Sequence, residues 1–257
     1  MIVFFFISYW TTMCSCVGGK PKVIEPTQYV CKGKVNKIQG LDVYNVGDEE
    51  AALVVIVLCD VFGINIPQTR IFCDRLVKET DVRVFMPDIF RGKPYPVEKF
   101  PPSDPNEILE HIEKVGSWAI VENDLKMLNT EVRKADEEIR LAIIGFSWAG
   151  SVALKACGHF NDYICGISIH GSMLNMHVQD ADKVQCPMLF LLASDDSPVD
   201  EIKNVLGKKP FGNKCLYKTY PNMKHGFVAA RADMANEENL QAINDVHKQC
   251  KSFLQQF

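Results

Sequence analysis

The stretch "IIGFSWAGS", residues 143–151, sets Ser147 between two small residues directly after an apolar run. A Gly-x-Ser-x-Gly/Ala pattern arises by chance in roughly one chain in five of this length, because Gly and Ser are each near 7% of average usage. A serine there could also do no more than cap a helix N-terminus. Its setting decides between the two. A nucleophile elbow needs a strand before the serine, a helix after it, and small neighbours that let strand and helix approach. Gly145 and Ala149 are those neighbours, and Gly150 gives further room.

Working outward, short apolar runs alternate with longer amphipathic stretches, the mark of an α/β protein with a mostly parallel sheet. Strands are predicted at about 41–46, 51–59, 82–88, 139–147, 163–170, 187–194 and 215–221, and helices at about 67–79, 106–130, 148–158, 199–206 and 234–255. Ser147 thus ends a predicted strand and opens a predicted helix. The run "AALVVIVLC" (51–59) shows no polar alternation, which suits a strand covered by helices on both faces. The Pro-rich segment 91–107 reads as a long loop after a strand's carboxyl end, where α/β proteins build ligand sites.

The 257 residues, 47% hydrophobic and 23% charged, suffice for a full core. With no repeat and no low-complexity linker, one domain over residues 28–257 is expected, preceded by an extension at 1–27. The net charge of -4 comes from interspersed charges without a basic stripe, so neither nucleic acid nor a membrane surface is an expected partner. The ten cysteines lack zinc-ligand spacing and several sit in apolar runs, such as Cys59 and Cys165, so no metal is expected. Reduced thiols in a chain this large favour the cytoplasm. The opening "MIVFFFISYWTTMCSC" is too short to span a bilayer and lacks a positive flank. It is read as an upstream extension of a chain starting at Met13, with a secreted or membrane-associated form as the alternative. Monomer and dimer stay equally open.

A serine hydroxyl needs a base to take its proton, so an acid and a histidine should follow in chain order. "SDDSPVD" (194–200) follows the predicted strand 187–194, and "PNMKHGF" (221–227) follows the next one. Asp196 is preferred as the acid on its frame, a small residue three before and Val199 three after; Asp195 is the alternative, and the pair would otherwise form and cap a turn. Of the histidines, His225 has the right place. His111 and His247 lie on amphipathic helices and are expected to be solvated, His159 and His177 fall in loops, and His170 ends a strand near the site.

From about residue 28 onward the chain resembles the dienelactone hydrolases, through "VIVLCDVFGIN" (55–65), "VFMPDIFRGKP" (84–94), "IIGFSWAGS", the acidic turn and "HGFVAARAD" (225–233). The resemblance implies an α/β-hydrolase fold without a large lid, cleaving small ester or lactone substrates with no metal and no cofactor. It implies a catalytic triad of Ser147, Asp196 and His225 and an oxyanion hole from the backbone N–H groups of Val61 and Trp148, which elbow geometry also suggests. The best-known members carry a cysteine where this chain has Ser147, and the bacterial ones a glutamate at Asp60, touching the resting nucleophile. Their carboxylate-binding arginine pair finds its nearest counterparts in Arg231 and Arg91. The expected activity is that of a serine carboxylesterase; the alternatives are a non-catalytic relative that binds a ligand or partner, or a thioesterase.

Overall fold

The computed structural model describes residues 29–104, 106–172 and 178–257; the extension expected at 1–27, its Met13 start and His177 lie outside them. In chain order the elements are β1 (Lys34–Ile38), β2 (Leu41–Val46), β3 (Leu53–Leu58), α1 (Pro67–Thr80), β4 (Arg83–Pro87), α2 (Asn106–Val115), α3 (Trp118–Ala135), β5 (Arg140–Phe146), α4 (Ala149–His159), β6 (Tyr163–Ile169), α5 (Val178–Lys183), β7 (Met188–Ala193), α6 (Asp200–Leu206), β8 (Leu216–Tyr220) and α7 (Glu237–Leu254).

The strands form one sheet in the order β1-β2-β4-β3-β5-β6-β7-β8. β2 is antiparallel to both its neighbours, and every pairing from β4 through β8 is parallel. β3 and β7 are buried at every position, and β5 at all but its first. A strand buried without alternation must be covered on both faces. α1 and α7 pack together through Phe72 and His247, whose rings lie 4.5 Å apart. α3 and α4 meet where Trp118 packs against His159 and under the Lys155 ammonium. Each fully buried Val, Leu or Ile contributes about 1.5–3 kcal/mol, so these central strands supply most of the driving force.

Register then aligns the carboxyl ends. Leu58 pairs with Gly145, Phe146 with Ile169, Ile169 with Leu191, and Ala193 with Tyr220. Whatever follows β3, β5, β6, β7 and β8 is therefore delivered to one edge.

Three features depart from the sequence reading. β1 was not foreseen, because "KVNKI" is an exposed edge strand held by its ladder to β2 and carries no apolar run. α5 was missed for the same reason, since within "VQDADK" Ala181 is the buried position. The single helix expected at 106–130 is two helices, α2 and α3, broken at Gly116 and Ser117. A Cβ on Gly116 would lie 2.9 Å from the Phe90 ring and 3.4 Å from the Trp148 ring, so the chain turns where it has to pass these two side chains.

His247 is also not solvated: it is 1% exposed, on the α7 face that carries Ile243 and Cys250 four before and three after it. His111 is partly buried, between the rings of Phe90 and Tyr95.

Candidate active site

Ser147 occupies the turn between β5 and α4 with a φ of 58°, a left-handed conformation uncommon outside glycine and asparagine. Such a conformation costs on the order of 1–3 kcal/mol and persists where the surroundings enforce it. Here they do: the Ser147 N–H donates to the Ile169 carbonyl at 3.2 Å, while its carbonyl accepts the N–H groups of Gly150 and Ser172, both at 2.9 Å. A Cβ on Gly145 would collide with the Ala149 carbonyl, and one on Gly150 with Ser168 Oγ and Gly171 Cα. The close approach of strand, helix and β6 thus rests on Gly145 and Gly150, and Ala149 fits with its methyl buried.

The Ser147 hydroxyl lies 2.8 Å from His225 Nε2, and His225 Nδ1 lies 2.6 Å from Asp196 Oδ1. The Asp196 side chain is 1% exposed, and its other oxygen accepts the Ala193 N–H at 2.6 Å, which fixes the carboxylate against the end of β7. Asp195 reaches the same histidine differently, since its Oδ1 accepts the His225 backbone N–H at 2.8 Å. In such a sheltered setting hydrogen bonds are stronger than in water, so the imidazole is held in one orientation.

Val61 follows β3 and Trp148 opens α4, and both line the cavity in front of Ser147. Neither backbone N–H has a protein acceptor among the described residues. The Trp148 N–H also belongs to a helix N-terminus, where partial positive charge favours a developing anion. The cavity, of about 80 Å³, is walled by Phe62, Phe100, Ile108 and Ile112. The Phe62 and Phe100 rings meet edge to face at 5.5 Å. Phe100 comes from the Pro-rich loop flagged in the sequence; Ile108 and Ile112 are the buried positions of α2, and the sequence reading named neither as part of the site.

Asp60 lines this cavity too, 3% exposed. Its oxygens accept the N–H groups of Phe62 at 3.0 Å and Ala230 at 3.2 Å, tying the turn after β3 to the segment beyond His225. Those two bonds and the charge of His225 favour the carboxylate, yet burial outweighs them and pushes its pKa up to about 6. Asp60 thus joins two loops at the cavity wall, and no hydrogen bond links it to Ser147 among the described residues.

The two arginines separate. Arg231 lines the cavity, with its guanidinium 5.7 Å from the Phe100 ring centre and one N–H on the His225 carbonyl at 3.3 Å. Arg91 lies instead on a different cleft with Lys93 and Lys114, and pairs with Asp124 at 2.7 Å. The structure does not bring it to Ser147.

Two side chains just beyond β6 went unassigned. His170, fully buried, packs edge to face on His225 with ring centres 5.2 Å apart. Burial and the nearby charges of His225 and Arg231 hold its pKa far below the usual histidine range. Ser172, 5% exposed, lines the cavity beside Ser147. Among the described residues no cluster of His, Cys, Asp and Glu could hold a metal ion, and no helix is long and apolar enough to cross a membrane.

A mostly parallel sheet carrying a serine elbow, with an acid and a histidine following on later strands at the same edge, defines an α/β-hydrolase. More narrowly, the chain belongs to the Dienelactone hydrolase family, whose profile matches residues 41–257. It is a hydrolase acting on ester bonds. An uncharacterised AIM2 family protein of Schizosaccharomyces pombe is 27% identical over 88% of this chain and 92% of its own length. The human carboxymethylenebutenolidase homolog is 24% identical over 81% of this chain and 84% of its own. Among solved structures, a putative dienelactone hydrolase from Klebsiella pneumoniae superposes with a TM-score of 0.68 at 20% identity, covering 88% of this chain and 98% of that one.

Proposed function

We propose that the protein is a serine hydrolase that cleaves carboxylic ester or lactone bonds of small substrates through an acyl-enzyme, with Ser147, His225 and Asp196 as its triad and residues 28–257 as its hydrolase domain. The observation that carries this reading is the 2.8 Å contact between Ser147 Oγ and His225 Nε2 on a serine held in a left-handed elbow. In the first step His225 takes the hydroxyl proton as Oγ bonds to the ester carbonyl carbon. Asp196 stabilises the imidazolium, and the N–H groups of Val61 and Trp148 receive the carbonyl oxygen as it becomes an oxyanion. The carbon–oxygen bond to the alcohol then breaks, and His225 returns the proton to the leaving oxygen. Water enters, gives its proton to His225, and attacks the acyl-enzyme; collapse frees the acid and restores Ser147.

The small cavity fits a small substrate, and its apolar walls fit the hydrocarbon part. A serine hydroxyl ionises far less readily than a cysteine thiol, so this chain depends more on its base than the family's cysteine members do. A reducing compartment such as the cytoplasm agrees with the burial of every described cysteine except Cys31. The test is labelling with a fluorophosphonate probe, followed by a panel of short-chain esters. Modification mapped to Ser147 and turnover of the esters are expected; a protein that neither labels nor turns over overturns the reading.

A further inference from the structure

We infer that Ser172 is a substrate-binding residue, whose hydroxyl pairs with an oxygen substituent carried by the ester close to its scissile bond. This rests on the hydrolase reading above and concerns which esters the same cavity selects.

The argument is an accounting of polar groups. Around the cavity, the oxygens of Asp60 are taken by two backbone N–H groups. His225 is engaged at both ring nitrogens, by Ser147 and Asp196, and Arg231 donates to the His225 carbonyl. Phe62, Phe100, Ile108 and Ile112 offer nothing polar. Apart from the backbone N–H groups of Val61 and Trp148, already assigned to the oxyanion, and the guanidinium of Arg231, two lining side chains keep a buried polar atom, Trp148 Nε1 and Ser172 Oγ, and of these two the hydroxyl is the one that can accept as well as donate. It is buried and has no hydrogen-bond partner among the described residues. An unsatisfied buried hydroxyl is costly, and folded proteins rarely keep one without a reason.

Its position is also fixed. The Ser172 N–H donates to the carbonyl of Ser147 itself at 2.9 Å, and two residues earlier the His170 N–H donates to the Leu191 carbonyl at 2.7 Å. The hydroxyl is therefore tied through one peptide contact to the residue that carries the nucleophile, three residues beyond the end of β6. A hydroxyl both donates and accepts, so an ether, hydroxyl or carbonyl oxygen can satisfy it. A methylene at the same place would leave it orphaned, and discrimination against the substrate lacking the oxygen follows.

Two nearly isosteric ester pairs test this. p-Nitrophenyl methoxyacetate and p-nitrophenyl butyrate differ by oxygen for methylene in the acyl chain; 2-methoxyethyl acetate and butyl acetate differ likewise in the alcohol. The readout is the ratio of kcat/KM within each pair, wild type against Ser172→Ala, in which the intrinsic reactivity of the esters cancels. A fall of about tenfold in the ratio for at least one pair is expected, the size of one lost hydrogen bond. Ser172→Thr, which keeps a hydroxyl, should restore part of it, and Ser172→Ala should melt no lower than wild type. The pair that responds tells which side of the ester faces Ser172. Unchanged ratios in both pairs overturn the inference while leaving the hydrolase reading intact. A wild-type protein inert towards all four esters and towards the fluorophosphonate probe overturns both.

Discussion

Asp195 and Asp196 hold one histidine at two different places: Asp196 Oδ1 meets the His225 ring at Nδ1 at 2.6 Å, whereas Asp195 Oδ1 accepts the His225 backbone N–H at 2.8 Å. Adjacent carboxylates thereby divide the work, one aligning the ring and the other anchoring the loop that carries it. The division follows from the turn after β7, in which the Asp196 side chain folds back onto the Ala193 N–H.

The two acids should therefore respond differently to the same change. Asp196→Asn is expected to lower kcat by several orders of magnitude, because an amide cannot support the required imidazole tautomer or its protonated form. Asp195→Asn keeps a carbonyl oxygen for the His225 N–H and should cost less than tenfold. Steady-state kinetics on a short-chain ester checks the ranking, and a larger loss at Asp195 would reverse the two roles.

Ser147→Ala should abolish fluorophosphonate labelling and nearly all turnover without unfolding the protein. The methyl keeps the space of the Cβ, and what is lost is one hydroxyl at a partly exposed elbow. Because the left-handed backbone is unchanged, the melting temperature should stay within a few degrees, as expected for a change of about 1 kcal/mol or less. Labelling that persists in this variant places the nucleophile elsewhere.

Substrate charge should be sensed at Arg231 and not at Arg91. An ester bearing a free carboxylate near its carbonyl should be favoured over the neutral methyl analogue by roughly ten- to a hundredfold in kcat/KM, the worth of one charge-assisted contact. Arg231→Met should shrink this preference. Arg91→Met should leave it alone, since Arg91 pairs with Asp124 on a different cleft. Equal effects from both arginines would mean that the loop carrying Arg91 rearranges on binding.

Stability should fall in mild acid, and two buried groups make the sign testable. His247 has its pKa lowered to about 3 by burial and the charge of Arg75, against about 6.5 when unfolded. The unfolded chain thus takes up the proton first, and stability is lost as pH drops below about 6.5, by about 2 kcal/mol at pH 5. Asp60, raised to about 6, works the other way: the folded state is protonated first, so its contribution grows as pH falls from about 6 to 4. In urea unfolding at pH 7 and pH 5, His247→Leu should flatten the acid loss and Asp60→Asn should steepen it. Parallel curves for wild type and both variants would refute the assignment.

Much of this site was legible because its signals are local and ordered along the chain. The Gly145, Ser147, Ala149 pattern at a strand-to-helix boundary, an acidic pair after the next-but-one strand and His225 after the last are relations that a linear sequence can display. Their mutual distances are not. The split at Gly116 arises from a close approach to Phe90 and Trp148, both far away along the chain, so helical periodicity ran straight through it. The burial of His247 was displayed by the Ile243 and Cys250 face of its helix, but a polar side chain masked that signal.

By itself, then, the order of residues determined the class of fold and the identity of the groups at the sheet's edge, because hydrophobic periodicity and strand-end chemistry are encoded within a few neighbouring positions. The tertiary structure decided what each group touches. It made Asp60 a bridge between two loops at the cavity wall, sent Arg91 to Asp124 rather than to the cavity, and left Ser172 Oγ without a partner beside Ser147. Those outcomes depend on side-chain length and on the register of strands paired across long separations. Such contacts are set when the sheet closes, and no local pattern records them.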